Sequence, residues 1–396
     1  MGIRLVIVDD NPHLAWEGRV HPANATFQQF AAALLDVPGS PVASITSCVP
    51  VREASSAPTG LALDPRIRVV ATAPFEGIEG YLRHLPGMLR ANRRVLHQAI
   101  AAADLVWLKV PASNAALAAL IARRAGTPVC TWVAGSAARV ADARFRGVRG
   151  AEAHVVGASY DVIGRVAGVG GHRLIVGQDV VHGDGVVASL VEPSELRDAD
   201  AETRRWPTGE ERARLAWAGR LAEGKGLEAL LAVVALEPGV TLDLIGDGPA
   251  RERLLAEADA SGARSRVTWS GHLADRGAYM DRLAAADAFI FPSPAEGFPK
   301  VVLDAFAVGL PVLATGAGAL AELVAADLVE PIERADPAAI VHAWHRLRTA
   351  EPRAVADRRH RGLEFAARHT RPAEAARLAE RWETWWPDLP WRVASA

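Results

Sequence analysis

Strand-like and helix-like runs alternate through the second half of the chain, and this alternation limits the possible folds more than any other feature. After Gly226, apolar residues recur at i, i+3, i+4 and i+7, which is one face of a helix. Strand followed by helix, repeated about every 20–25 residues, predicts a parallel sheet covered by helices. The strand-like runs are LAWAG (215–219), VTLDLIG (240–246), RVTWSG (266–271), AFIFPS (288–293) and PVLAT (311–315).

The first half shows the same alternation with longer spacers. A crossover helix is predicted for AALAALIARRAG (115–126), and another for ATFQQFAAALLD (25–36), with Asn24 or Thr26 available as its N-cap. The predicted strands are RLVIVDD (4–10), PVASITSCVPV (41–51), RIRVVAT (66–72), DLVWLKV (104–110), PVCTWVAG (128–135) and EAHVVGAS (152–159).

The length of 396 residues indicates two domains of ordinary size. We therefore predict an α/β protein with two Rossmann-like parallel-sheet domains. The predicted divisions are a first domain at 1–187, a linker rich in charge and proline at 188–210, a second domain at 211–375 and a tail at 376–396. The tail holds four of the eleven tryptophans, so we expect it to pack on the first domain, with a dimer contact as the alternative.

Composition excludes several classes of protein. A net charge of −2 does not favour a nucleic-acid partner. The sequence has no apolar run long enough to span a membrane, and its first residues do not have the layout of a signal peptide, so we expect a cytoplasmic protein. The two cysteines have no metal-ligand spacing.

The basic segment 81–97 is expected to be a solvated helix, with membrane contact as a less favoured alternative.

Lysine is rare in this chain, and its positions point to two segments. Only three of the 44 basic residues are lysine, namely Lys109, Lys225 and Lys300. Lys225 lies in GRLAEGKG (219–226), which follows a predicted strand and opens a helix. Glycines there let the backbone approach a ligand closely, and Arg220 and Lys225 beside a helix N-terminus are suited to bind a diphosphate. The alternative is an exposed loop with solvated charges.

The second segment, EGFPKVVLD (296–304), contains Lys300. Pro299 suits the start of a helix, whose first amides would face a phosphate. Glu296 and Asp304 are carboxylates that could accept hydrogen bonds from sugar hydroxyls. The alternative is that Glu296 caps the helix and Asp304 is a surface acid.

These motifs carry a family resemblance. The second half resembles the donor domain of retaining family-4 glycosyltransferases of the GT-B fold, in which two Rossmann-like domains face a central cleft. The matching stretches lie in the family's order across roughly residues 215–325. They are GRLAEGKG, LIGDGP (244–249), WSGH (269–272), DAFIFPSPAEGFPKVVLDAFAVGLPVLAT (287–315) and GAGALAELV (316–324).

The resemblance implies roles for these residues. Arg220 and Lys225 would hold the diphosphate and, with Glu296 at the transferred sugar, form the catalytic set. Asp304 would meet the ribose, although the family usually has glutamate there. The remaining donor-binding candidates are Gly219 and His272, the latter near the base, and the helix-start residues Gly297, Phe298, Pro299 and Lys300.

The acceptor half fits the family only in topology. HPANAT (21–26) replaces the family's glycine pair, and WVAGS (132–136) stands where a histidine is often found. The acceptor-side candidates are Asn24, Thr26, Gly135 and Ser136. The resemblance implies no cofactor and no catalytic metal.

The sequence therefore predicts a bacterial retaining hexosyltransferase that moves a sugar from a nucleotide diphosphate sugar, UDP-linked in preference, to an acceptor hydroxyl by front-face displacement. The acceptor would be a small molecule or a glycoconjugate. One alternative is a non-catalytic nucleotide-sugar-binding or helper protein with a degenerate acceptor half. A sugar-nucleotide epimerase of similar fold is a third hypothesis, which EGFPKVVLD matches less well.

Overall fold

The computed structural model describes residues 2–58, 61–76, 80–81, 83–134, 138, 147–181, 185–197 and 211–391. The chain divides into two compact units, one formed by Met1–Val176 with Arg371–Ala396 and the other by Gly177–Thr370. Within the described residues, no helix is both long and apolar enough to cross a membrane.

The first unit contains a sheet in which all pairings but one are parallel. In the described residues its order is β3-β2-β4-β1-β6-β7-β8, and β5 pairs with β4; only β2 and β3 are antiparallel. The strands are β1 Ile3–Val8, β2 His13–Trp16, β3 Arg19–Pro22, β4 Val42–Glu53, β5 Ile67–Thr72, β6 Leu105–Val110, β7 Val129–Val133 and β8 His172–Ile175. The helices are Thr26–Ala33, Leu85–Ala101, Ala115–Ala125, Gly147–Ala167 and Arg371–Trp385.

One predicted strand of this unit is wrong. EAHVVGAS (152–159) lies inside the helix Gly147–Ala167. The buried positions have helical spacing, but they are small or aromatic, at Gly157, Tyr160, Gly164 and Ala167. Of the two valines that made the run look like a strand, Val155 is 65% exposed and Val156 is half-buried. Glycine at 164 allows the helix to pack closely, because a Cβ there would lie 3.3 Å from Cβ of Val110.

Two further segments of the first unit add detail that the sequence did not show. The basic segment 81–97 is helical at Tyr81 and Arg83 and again in the helix Leu85–Ala101, which has Pro86 in its first turn. Its buried face is Met88, Asn92, Leu96 and Ile100, so its apolar side belongs to the core. The hairpin β2–β3 was not predicted. Its turn is Glu17–Gly18, where both residues have positive φ, as a two-residue turn between antiparallel strands requires.

The C-terminal helix Arg371–Trp385 completes the core of the first unit. Trp382 is fully buried, its ring centroid lies 5.1 Å from that of Trp107, and its indole N–H donates to Sγ of Cys130 at 3.3 Å. Burial raises the pKa of the Cys130 thiol to about 12. The tryptophan-rich tail therefore contributes to the same core as β6 and β7.

The second unit contains a sheet whose pairings are all parallel in the described residues, in the order β11-β10-β9-β12-β13-β14. Its strands are β9 Ala213–Ala218, β10 Val240–Ile245, β11 Val267–Gly271, β12 Ala288–Phe291, β13 Val312–Thr315 and β14 Glu330–Ile332. The helices are Leu227–Leu236, Arg251–Ala260, Arg276–Ala284, Lys300–Ala307, Leu320–Ala325, Pro337–Thr349 and Pro352–Arg368. The predicted α/β class, with two parallel-sheet domains, is confirmed.

Residues 177–181 and 185–187 belong to the second unit, although the sequence analysis assigned them to the first domain. The contacts of this segment explain the difference. The Glu322 carboxylate accepts hydrogen bonds from the backbone N–H groups of Asp179 at 2.8 Å and Val180 at 3.0 Å. Gly177 lies so close to Phe298 that a Cβ at 177 would be 2.4 Å from Cβ of Phe298.

The strand order of the second sheet locates its ligand-binding edge. The chain runs outward from β9 through β10 to β11 and then returns to β12 on the other side of β9. We call the junction between β9 and β12 the switch point of this sheet. In open α/β sheets, ligands bind outside the carboxyl ends of the strands at such a junction. GRLAEGKG follows β9 and the segment containing EGFPKVVLD follows β12, so both predicted motifs border the switch point.

Candidate active site

The glycine loop after β9 lies against the end of β12. Gly219, Gly224 and Gly226 all have φ in the left-handed or otherwise glycine-favouring region, at +149°, +76° and +71°. A Cβ at Gly226 would lie 2.5 Å from the carbonyl oxygen of Pro292, so a larger residue would push the loop off the strand end. Gly226 is also the N-cap of the helix Leu227–Leu236. The loop and the helix start are thus fixed at the switch point.

Lys225 and Glu296 meet across this junction. The ammonium of Lys225 donates a hydrogen bond to Oε1 of Glu296, and both side chains retain some exposure, 30% for Lys225 and 14% for Glu296. Lysine carries three N–H donors, so this contact leaves two for another acceptor. The N-cap of the following helix is Pro299, and the described bond of the Glu296 side chain is to Lys225. The alternative in which Glu296 serves as the helix cap is therefore not favoured.

The backbone around Glu296 is held from both sides. A Cβ at Gly318, which has φ +59°, would lie 2.0 Å from the carbonyl oxygen of Glu296. The N–H of Ala319 donates to the carbonyl of Gly297 at 3.3 Å. The hydroxyl of Thr315 donates to the carbonyl oxygen of Ser293. The turn after β13 thus supports the turn that presents Glu296.

Arg220 projects into solvent from the same edge of the sheet. Its side chain is exposed, and in the part of the chain that the structure describes it makes no hydrogen bond or ion pair. Its backbone is fixed, because the N–H of Leu221 donates to the carbonyl of Asp247 at 3.1 Å, and a Cβ at Gly246 would lie 1.9 Å from the carbonyl oxygen of Gly219. Arg220 is therefore an exposed cation on a well-fixed backbone, in the same loop as Lys225.

Asp304 lies in a charged network. Its Oδ1 accepts from Nη2 of Arg276 at 2.7 Å, and its Oδ2 accepts from the hydroxyl of Tyr279 at 3.0 Å. Arg276 also binds Glu195 through two hydrogen bonds of 2.8 and 2.9 Å. Burial lowers the pKa of Arg276, but Asp304 and Glu195 outweigh this and raise it above its usual range. Burial, then Asp304, raise the pKa of Tyr279. The alternative of a surface acid at Asp304 is wrong, because the residue is 5% exposed.

The other donor-side candidates lie at the same edge of the sheet. His272 directly follows β11 and is exposed. Phe298 is buried at 9% exposure. Pro299 is the N-cap of the helix Lys300–Ala307, and Lys300 is the first residue of that helix. The structure therefore brings Lys225 and Glu296 into contact, and it places Arg220, His272 and the start of this helix after the carboxyl ends of β9, β11 and β12.

The acceptor-side candidates lie in the first unit. The N-cap of the helix Thr26–Ala33 is Ala25, which makes no side-chain capping bond, so neither Asn24 nor Thr26 is the N-cap residue. Asn24 instead forms a local turn, in which its Oδ1 accepts from the N–H of Thr26 at 3.1 Å and its carbonyl accepts from Asn11 at 2.9 Å. Gly135 and Ser136 lie outside the described residues.

Sequence reasoning missed a polar cluster at the switch point of the first sheet, between β1 and β6. Lys109 Nζ bonds to both carboxylate oxygens of Asp9 at 3.0 and 3.1 Å. The carboxylate of Asp10 accepts from the N–H of Ser113, whose hydroxyl lies 2.6 Å from that of Tyr160. Burial raises the pKa of Asp10 to about 6. The rarity of lysine was the available signal, since Lys109 was singled out and given no role.

Arg276 and Tyr279 were also missed. Tyrosine is as rare as lysine, with three in the chain. In the described residues the hydroxyl of each tyrosine is hydrogen-bonded to a side chain, at Asn114, Ser113 and Asp304. Within the described residues, no group of three or more His, Cys, Asp or Glu side chains is placed to hold a metal ion.

Comparison with known proteins identifies part of the chain. Residues 212–349 match the family model described as glycosyl transferases group 1. A lipopolysaccharide core biosynthesis glycosyltransferase, LpsE, from Rhizobium meliloti is 39% identical over 97 residues, which are 24% of this chain and 28% of that protein. The match thus spans less than a third of the relative's own length.

Solved structures resemble nearly the whole chain at low sequence identity, so they bear on the fold. Sucrose-phosphate synthase from Thermosynechococcus elongatus superposes with a TM-score of 0.70 at 15% identity, over 97% of this chain and 99% of that one. Anabaena HepE, solved in complex with UDP-glucose, superposes with a TM-score of 0.61 at 16% identity, over 96% of this chain and 100% of that one. Residues 212–349 therefore form a domain of the glycosyl transferases group 1 family, and the chain has the GT-B fold.

Proposed function

We propose that this protein is a retaining hexosyltransferase that transfers a sugar from a nucleoside diphosphate sugar, UDP-linked in preference, to an acceptor hydroxyl. The observation that carries the proposal is the contact between Lys225 and Glu296 at the switch point of the second sheet. The contact places a cation from the turn after β9 beside a carboxylate from the turn after β12. A nucleotide sugar has a charged diphosphate and a hydroxylated sugar next to each other, so it needs both kinds of group at one site.

The diphosphate would lie between Arg220 and Lys225, near the start of the helix Leu227–Leu236. Arg220 is exposed, and Lys225 retains two N–H donors beyond its bond to Glu296. A diphosphate gains negative charge as it leaves, so fixed cations stabilise the transition state more than the ground state. The helix dipole adds to the same effect.

The transferred sugar would lie beside Glu296. A carboxylate accepts hydrogen bonds from sugar hydroxyls, and its contact with Lys225 keeps it pointed toward the phosphates. In the proposed front-face displacement the bond from the anomeric carbon to the diphosphate oxygen breaks, and a bond to the acceptor oxygen forms on the same face. The proton of the acceptor hydroxyl passes to the leaving diphosphate, so the protein supplies no nucleophile and no catalytic metal.

The proposed donor and acceptor classes are supported by what similar proteins bind or are named for. The UDP-glucose bound to Anabaena HepE, a protein of the same fold, supports a UDP-linked sugar. Relatives that match part of the chain include LpsE, named for lipopolysaccharide core biosynthesis, and a 2-deoxystreptamine N-acetyl-D-glucosaminyltransferase from Streptomyces fradiae, named for a small molecule. We therefore propose an acceptor of one of those two classes.

The test is turnover with a panel of UDP-, TDP- and GDP-linked sugars and pooled acceptors, followed by mass spectrometry. We expect a glycosylated product with the donor's anomeric configuration, unchanged activity in EDTA, and loss of activity in Lys225→Ala. A protein that binds a nucleotide sugar but releases no diphosphate with any acceptor would instead be the non-catalytic binding protein. An inverted product would overturn the retaining mechanism.

A further inference from the structure

The chain passes into the second unit at Gly177, and we call residues 177–181 the entry segment. One side chain holds this segment. Oε1 of Glu322 accepts from the backbone N–H of Asp179 at 2.8 Å, and Oε2 accepts from that of Val180 at 3.0 Å. Asp179 has a φ of +56°, in the left-handed region, and a residue stays there only where its surroundings enforce it. Both oxygens of Glu322 therefore help to fix the backbone of the entry segment.

The entry segment lies against the turn that presents Glu296. Gly177 has a φ of +79°, and a Cβ there would lie 2.4 Å from Cβ of Phe298 and 3.1 Å from Cβ of Ala319. Phe298 is two residues after Glu296 and is buried. Because packed interiors leave little free space, a shift of the entry segment would move Phe298 or open a gap behind it.

The turn that carries Glu322 contacts the same part of the site. The N–H of Glu322 donates to the carbonyl of Ala319 at 3.3 Å, and the N–H of Ala319 donates to the carbonyl of Gly297 at 3.3 Å. The residues before Ala319 also lie close to the carbonyl of Glu296, as described above for Gly318. Two segments thus contact the turn 296–298, and the Glu322 carboxylate bonds them to each other.

The loop that holds Arg220 and Lys225 is supported by different contacts. The N–H of Gly219 donates to the carbonyl of Ile245 at 3.0 Å, and Gly226 packs on the end of β12. A change at Glu322 should therefore disturb the proposed sugar side of the site more than the proposed diphosphate side.

We propose that Glu322 is a positioning residue for sugar transfer. By bonding the entry segment to the turn 316–322, it holds Glu296 in the setting that meets the transferred sugar. The role needs a carboxylate, because both of its partners are N–H donors and an amide of the same shape accepts at only one of its two terminal atoms. This inference rests on the proposed function, because it concerns the sugar side of the same site.

The first experiment measures amide hydrogen exchange in the purified full chain without ligand, in the parent and in Glu322→Gln. Amides exchange faster where the structure opens locally. We expect faster exchange in the entry segment and at Ala319, and unchanged exchange in the loop 219–226. Faster exchange confined to the entry segment would contradict the link to the Glu296 turn. Faster exchange throughout the second unit would show a general structural role instead.

The second experiment compares turnover with UDP binding in the same two proteins. With the sugar nucleotide that the parent turns over, we expect kcat of Glu322→Gln to fall about tenfold or more, while the UDP dissociation constant changes by less than about threefold. An unchanged kcat, or an equal loss in both quantities, overturns the positioning role and leaves the proposed function intact. A parent that turns over no sugar nucleotide contradicts the proposed function, and the exchange measurement still decides whether Glu322 holds the turn.

A glycine pair tests the contact between the entry segment and Phe298. Gly177→Ala and Gly262→Ala carry a similar backbone cost, since φ is +79° and +72°. A Cβ at Gly262 meets nothing within 4 Å. We expect kcat to fall in Gly177→Ala as in Glu322→Gln and to stay at the parent's value in Gly262→Ala. Normal kcat in Gly177→Ala, or an equal loss in both variants, would contradict the proposed role of the entry segment.

Discussion

The ammonium of Lys225 bonds to the carboxylate of Glu296, a residue 71 positions later in the chain. Each lies in a turn that follows a strand bordering the switch point of the second sheet. The two sequence motifs therefore form one site, and disturbing either residue changes the setting of the other. The first two predictions use this dependence.

Replacing Lys225 by alanine should weaken the binding of UDP more than that of uridine. The lost charge-assisted hydrogen bonds to the diphosphate are worth about 1.5–3 kcal/mol, and uridine has no diphosphate to lose. Calorimetry with both ligands measures the effect. Arg253→Ala is the control, because it removes a cation of the same unit that pairs with Glu228 at the surface. Equal UDP affinity in the parent and in Lys225→Ala would contradict the proposed binding of the diphosphate by Lys225.

Replacing Glu296 by glutamine should lower turnover more than donor binding. The amide keeps the shape of the side chain but loses one acceptor oxygen and the ion pair with Lys225. We expect kcat at saturating donor to fall at least about tenfold, as for the loss of a charged hydrogen bond in the transition state. The UDP dissociation constant should change by less than that. Normal kcat in the variant would limit Glu296 to a structural role.

Gly318→Ala should damage the site, whereas Gly316→Ala, two residues earlier, should not. A Cβ at Gly318 would lie 2.0 Å from the carbonyl oxygen of Glu296, and its φ of +59° costs a non-glycine residue about 1–2 kcal/mol. A Cβ at Gly316 meets nothing within 4 Å. UDP affinity and the thermal midpoint of both variants provide the measurement. Similar losses in the two variants would show that the turn as a whole, and not its contact with Glu296, is sensitive.

Asp10 should make the protein less stable as the pH rises from about 4 to 6. Burial raises the pKa of its carboxyl to about 6 in the folded state. The folded state therefore binds more protons than the unfolded state in that window, and stability falls with rising pH by up to about 3 kcal/mol. Asp10→Asn cannot ionise. The thermal midpoint of the variant relative to the parent should rise between pH 4 and pH 7.5, and a difference that is constant with pH would contradict this.

The fold was predictable where the pattern of apolar residues was simple. The strands of the second sheet are buried runs such as AFIF before a turn, and the helix after Gly226 buries a continuous apolar face. The helix Gly147–Ala167 was not predictable in this way, because Gly157 and Gly164 face the core and leave no apolar stripe to read. At these two glycines the buried face of the helix carries no side chain, so the pattern of apolar residues does not reveal it.

The site was predictable as a set of residues but not as a set of bonds. Motif spacing places Glu296 and Asp304 about two turns apart, and it cannot say which partners their oxygens take. The partners of Asp304 come from Arg276, Tyr279 and, through Arg276, Glu195, which lie in segments that no motif connects to it. A network of this kind depends on the tertiary fold, so identifying the partners of Asp304 required the structure.

The burial of Trp382 against Trp107 affects the order in which the two units can fold during translation. The second unit is one continuous stretch, Gly177–Thr370, and can finish folding as soon as that stretch has left the ribosome. The first unit, although translation begins with it, lacks part of its aromatic core until the helix Arg371–Trp385 is released. The half of the protein that is made first is therefore the half whose core is completed last.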